Sequence, residues 1–124
     1  MFFLVLKAYS MLILFDLYLA RNDFAGLHDK VRFYPATKAR PSSRTIEQIC
    51  AAVDMASIWY WKEVRCLERS ATTACLLKQF GVAAQMVIGA RQIPFKAHAW
   101  VEVDGQVVND KPYVQELYAV LDRC

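Results

Sequence analysis

Three residues of this 124-residue chain, Cys66, His98 and Asp110, have types and surroundings that suit covalent catalysis. A thiol attacks only as its thiolate. The stretch CLERSATTACLLKQFG that starts at Cys66 predicts a helix stopped by Gly81. Cys66 then opens a helix, where partial positive charge and unpaired N–H groups favour the ionised form. Arg65 can add to that field. Cys50 and Cys75 sit within apolar helical stretches, where cysteine behaves as a small hydrophobe, and Cys124 is terminal. His98 opens the run HAWVEV and Asp110 closes QVVND. A nucleophilic cysteine, a histidine that moves its proton and a carboxylate that orients the histidine suit acyl chemistry. For the oxyanion, the backbone N–H of Cys66 is the one donor these residues identify.

The elements that position these groups are legible in outline. MFFLVLKAYSMLILFDLYLA predicts a mostly buried first helix, part of whose apolar surface is free to dock another protein. Residues 21–44 read as a basic connector, with Arg21, Lys30, Arg32, Lys38, Arg40 and Arg44 against Asp23 and Asp29, punctuated by Pro35 and Pro41. Thr45 and Gln48 have capping-box spacing, and Ile46, Ile49, Cys50, Val53 and Ala56 follow at helical intervals, predicting a helix over 45–58. After Gly81 come AAQMVIGAR, HAWVEV and QVVND, a three-stranded antiparallel sheet with Pro94 and Asp104-Gly105 in its connections. A short amphipathic helix over 113–123 closes the chain, with Val114, Leu117, Tyr118 and Leu121 on one face.

The turn at Asp104-Gly105 decides whether His98 can meet Asp110. A two-residue turn pairs Val103 with Gln106 and puts the two on opposite faces, because side chains alternate along a strand. A three-residue loop over Val103, Asp104 and Gly105, with Gly105 in a bulge, pairs Glu102 with Gln106 and sets His98 opposite Asp110. It also gathers Ala99, Val101 and Val107 on one apolar face. The bulged turn is the expectation, and a two-residue loop argues against direct contact.

Composition narrows the class. With 56% hydrophobic and 22% charged residues the chain is too apolar to be disordered, and its length suits one domain. A net charge of +3, with no consecutive Lys or Arg, makes nucleic acid an unexpected partner. The four cysteines match no disulfide framework and suit reduced thiols in a cytoplasm. No C-x-x-C or H-x-x-x-H pair occurs and His28 is remote from every cysteine, so neither a metal nor a cofactor is expected. Lys7 and Asp16 interrupt the first apolar run, which argues against a membrane anchor.

In CLERS at 66–70, GVAAQMVIGAR, PFKAHAWVEVDG at 94–105 and VVND at 107–110, the chain resembles the transglutaminase-like peptidases that remove the leader from lasso-peptide precursors. The resemblance covers residues 45–112. It implies an α+β fold with a papain/transglutaminase-like core, in which N-terminal helices precede a nucleophile helix and a small antiparallel sheet. It also implies Cys66 as nucleophile, His98 as general base and acid, and Asp110 as orienter. On this reading residues 1–44 form a docking segment and 45–124 the peptidase core, resembling the split form of the family. The implied partners are the leader region of a lasso precursor, a separate leader-recognition protein and the ATP-dependent cyclase that closes the core peptide. The same triad could instead serve a transglutaminase-like acyltransferase, which resolves the acyl-enzyme with an amine.

Overall fold

The computed structural model describes residues 2–36, 43–92 and 94–124, so the connector residues Lys38, Arg40 and Pro41 lie outside it. The described chain forms helices α1 (Phe2–Ala20), α2 (Phe24–Arg32), α3 (Ser43–Trp59) and α4 (Cys66–Gln79), then strands β1 (Ala84–Arg91), β2 (Lys96–Val103) and β3 (Gln106–Val107), the single turn α5 (Val114–Leu117) and strand β4 (Ala119–Arg123). The strands make one antiparallel sheet in the order β3-β2-β1-β4. This is an α+β arrangement, as the resemblance implied.

α4 lies at the centre. Apart from Arg69, every residue from Glu68 to Leu77 is buried, because α1, α3 and the sheet all pack on it. Each buried Leu or Val side chain contributes about 1.5–3 kcal/mol. The helix ends in a Schellman motif: Gly81 has φ +86°, its N–H reaches the Lys78 carbonyl at 3.1 Å, and the Val82 N–H reaches that of Leu77 at 2.9 Å. The stop expected at Gly81 is therefore present, and it aims the chain into β1.

The first helix differs from expectation. α1 buries only the stripe Ala8, Leu12 and Phe15, while Phe2, Phe3, Leu6, Ile13 and Leu17 remain exposed. By length and composition it could cross a membrane, and little of it is buried. A helix apolar nearly all round buries whichever stripe its neighbours cover, and here α3 and α4 cover one. The connector also holds unexpected structure. Asn22, at φ +56°, ends α1 in a second Schellman motif, and Asp23 caps α2 by accepting from the Gly26 N–H at 2.9 Å.

Two corrections concern the sheet. The hairpin has the two-residue turn, pairing Val103 with Gln106 and Glu102 with Val107. Asp104 and Gly105 both take positive φ, 52° and 77°, which suits a type I′ turn matching strand twist without a bulge. The one-residue change of register swaps the faces of the next residues. Val107 packs with Val87 and Trp100, and Val108 joins the main core instead. The second correction is at the C-terminus, where the expected helix over 113–123 survives only as α5. Residues 119–123 pair with β1 as β4, because β1 would otherwise present an open edge of backbone donors and acceptors. Between the pairs Ile88–Asp122 and Gly89–Val120, Leu121 is skipped in a bulge.

Candidate active site

Arg65 is the N-cap of α4, extended at φ −79° and ψ 161°, and contributes no side-chain cap bond. A guanidinium offers no acceptor to the first helical N–H groups. The reverse half of a capping box is present instead, since the carboxylate of Glu68, at N3, accepts from the Arg65 backbone N–H. Glu68 is buried, and one carboxylate oxygen has no hydrogen-bond partner among the described residues. Burial pushes its carboxyl above the usual range and Asp16 adds to this, against the opposing effects of Lys62 and Arg65. Asp16 itself receives Lys62 Nζ at 2.7 Å and the Tyr60 hydroxyl at 3.3 Å. Burial, with Asp16 nearby, pushes that phenol up to about 12. The segment leading into Cys66 is thus tied down to α1.

Cys66 is a half-buried free thiol. Burial, before any other cause, pushes the other three cysteines up, Cys50 to about 11, Cys75 to about 12 and Cys124 to about 11. They are poor nucleophiles at neutral pH.

His98 pairs across the sheet with Gly89. A Cβ at Gly89 would lie 2.7 Å from the Trp100 ring and 2.9 Å from Cβ of Tyr118, so only glycine leaves room for both. Tyr118 stacks on the imidazole with ring centroids 5.3 Å apart. The imidazole Nε2 lies 2.5 Å from Oδ2 of Asp110, with the two side chains 18% and 17% exposed. Burial tends to raise the Asp110 carboxyl. Hydrogen bonds from His98 and from the Lys111 backbone N–H, with the charges of His98 and Arg69, outweigh it and hold the group below its ordinary range. An ionised carboxylate only accepts, so Nε2 carries the proton and Nδ1 is left as the acceptor.

The contact forms in spite of the two-residue turn because β3 stops early. Val108 donates to the Val101 carbonyl at 3.0 Å, but the return bond is made by Oδ1 of Asn109, which accepts from the Val101 N–H at 2.7 Å. The Val108 carbonyl turns away to the Cys50 thiol, 3.4 Å off. The chain then leaves the ladder, and alternation no longer governs Asp110.

Ser70 lies four residues after Cys66, on the same face of α4, and donates to the carbonyl of Ala99 at 3.1 Å. One turn beyond Cys66, α4 therefore meets β2 at Ala99, the residue after His98. A cleft of about 650 Å³ opens beside Asp110, walled by Ile58 and Val64 and carrying Asp54, Glu63, Arg69 and Lys111. Ile58, which lines it, and Trp59 and Trp61, near it in sequence, are all exposed.

His28 lies elsewhere, its Nε2 2.5 Å from Asp122, tying α2 to β4. Among the described residues, no group of three or more His, Cys, Asp or Glu side chains is arranged to hold a metal ion. Sequence reasoning missed Ser70, Gly89, Asn109 and Tyr118. The Asp-Gly pair was a readable signal for the type I′ turn, and the polar Asn109 inside a strand-like run was the signal that the ladder ends there.

A family model described as the transglutaminase-like superfamily matches residues 11–123. The chain is also 41% identical over 56 residues to the microcin J25-processing protein McjB of Escherichia coli, a match spanning 45% of this chain and 27% of that protein. No solved structure matches.

Proposed function

The chain belongs to the transglutaminase-like superfamily, and from that premise we propose that it is a cysteine peptidase removing the leader from a lasso-peptide precursor. The observation that carries this reading is the His98–Asp110 hydrogen bond, which leaves Nδ1 free to take a thiol proton. The likeness to a microcin J25-processing protein supports the substrate class.

The steps follow from the residues. Nδ1 of His98 takes the Cys66 proton as Sγ bonds to the scissile carbonyl carbon. The oxyanion is held by the N–H of Cys66 and the helix dipole. On collapse the C–N bond breaks, and His98 returns its proton to the leaving amine. Water, deprotonated by the same imidazole, then attacks the thioester and releases the leader carboxylate and the thiol. Asp110 holds the Nε2–H tautomer and offsets the imidazolium charge throughout.

In this proposal the cleft beside Asp110 and the exposed apolar residues Ile58, Trp59 and Trp61 receive the extended peptide. Residues 45–124 act as the peptidase core. Residues 1–44, with Phe2, Phe3 and Leu6 exposed, dock a separate leader-recognition protein, and the ATP-dependent cyclase receives the product. The free thiols suit a reducing cytoplasm.

The test is to incubate the protein with a lasso precursor and its recognition protein and to read the products by mass. Loss of the leader with wild type, and none with Cys66→Ala, is the expected result. A folded wild type that cleaves no cognate precursor overturns the reading. A product in which an added amine replaces water supports the acyltransferase instead.

A further inference from the structure

Where β3 ends, the edge of β2 beside His98 still carries backbone groups that need partners. Two side chains supply them. Asn109 Oδ1 accepts from the Val101 N–H at 2.7 Å, Ser70 Oγ donates to the Ala99 carbonyl at 3.1 Å, and Asn109 Nδ2 donates to Ser70 Oγ at 3.1 Å. Ser70 is fully buried. The donor and acceptor roles are forced along the chain. The Val101 N–H can only donate, so Oδ1 must face it. The Ala99 carbonyl can only accept, so the Ser70 proton goes there and its lone pair receives Nδ2.

We propose that Asn109 and Ser70 together are the positioning residues of the candidate triad, an inference that rests on the peptidase reading above. They join the three elements that bear its members. Ser70 lies one turn from Cys66 on α4, Ala99 follows His98 on β2, and Asn109 precedes Asp110. By replacing the ladder bond, Asn109 ends β3 and turns Asp110 onto Nε2. By bonding Ser70, it fixes the nucleophile helix against the strand that holds the base. Ser70 is buried, and Asn109, which borders the cleft, is assigned positioning through Val101 and Ser70 and not substrate contact. A misplacement of about 1 Å in such a constellation lowers a rate by roughly 100-fold.

Asn109→Asp is the sharpest variant. It keeps the size and the acceptor for Val101 but places an oxygen against the Ser70 lone pair. Asn109→Ala removes both bonds, and Ser70→Ala removes the bridge alone. Two readouts are taken on each folded variant: the downfield NMR resonance of the His98 Nε2 proton held by Asp110, and kcat and KM for leader cleavage. All three variants are expected to weaken or lose the resonance, and to lower kcat by roughly 100-fold with little change in KM. A resonance and a kcat like those of wild type in Asn109→Ala and Asn109→Asp overturn the proposal.

If the variants do not fold, the wild type itself decides. The Asn109 Nδ2 proton bonded to Ser70 must exchange slowly with solvent, and free exchange of that proton overturns the proposal. The resonance needs no substrate. Its loss in the variants, alongside a wild type that cleaves no precursor, supports the positioning role while the peptidase reading fails.

Discussion

Tyr118 lies face to face with His98, ring centroids 5.3 Å apart and planes inclined by 28°. It reaches that place because the bulge at Leu121 shifts the chain between α5 and β1, and because Gly89 has no side chain in the way. The imidazole is thereby held on one side by a ring and at Nε2 by a carboxylate. Tyr118→Phe keeps the stacking surface and should leave kcat near that of wild type. Tyr118→Ala should cost about 0.5–1.5 kcal/mol of stability beyond lost burial and lower kcat by about tenfold as the ring loosens. Equal activity in both variants would remove the ring from the site.

Asp110→Ala should lower kcat by about 100-fold or more, because the base loses its tautomer control. Asp110→Asn should recover part of that loss, since an amide oxygen still accepts from the Nε2 proton, as the Asn of papain-like triads does. Steady-state kinetics on the pair check this. An unchanged rate in Asp110→Ala shows that the contact is only structural.

Acid should weaken the same interaction. The folded-state pKa of Asp110 is held below its ordinary 3.8, so its stabilisation is complete above that value and is lost as pH falls through the folded one. Thermal melts between pH 5 and 2, values on the order of the usual carboxylate range, should show a steeper loss in wild type than in Asp110→Asn. Parallel curves would contradict it.

Glu68 behaves in the opposite sense. Burial raises its carboxyl above the ordinary 4.5, so the folded state keeps a proton the unfolded state has lost, and stability falls as pH rises through the folded value. Glu68→Gln keeps an acceptor for the Arg65 N–H without the buried charge. It should melt above wild type at neutral pH, with the advantage vanishing below 4.5. An advantage independent of pH would mean that the charge is not the cause.

At Gly89, alanine introduces a Cβ 2.7 Å from the Trp100 ring and 2.9 Å from Tyr118 Cβ. Overpacking of this kind costs about 1–3 kcal/mol. Because both neighbours lie against His98, chemical denaturation should show that loss together with a lowered kcat. Wild-type stability in Gly89→Ala would show that the rings give way freely.

Much of the molecule follows from local chemistry. Gly81 ends α4 because a left-handed residue is needed there, and α4 begins at Cys66 with the Glu68 carboxylate accepting from the Arg65 N–H. Asp104-Gly105 makes a type I′ turn from its own preferences. In each case the governing interaction spans only a few residues, so the order of residues determines it. The same holds for the α+β class, which follows from helical spacing before Gly81 and strand formers after it.

Tertiary structure decided the rest, where a distant partner outweighed the local pattern. Residues 119–123 carry a helical spacing, yet they become β4 because the edge of β1 needs hydrogen bonds. Apart from Lys7, Ser10 and Asp16, α1 is apolar nearly all round, and only the packing of α3 and α4 selects Ala8, Leu12 and Phe15 for burial. The meeting of His98 and Asp110 is the clearest case. Strand alternation after a two-residue turn separates them, and what joins them is an Asn109 side chain taking a backbone bond while held by Ser70, 39 residues away. Alternation is a property of a continuing strand, and it ceases to apply where a side chain from elsewhere ends the ladder.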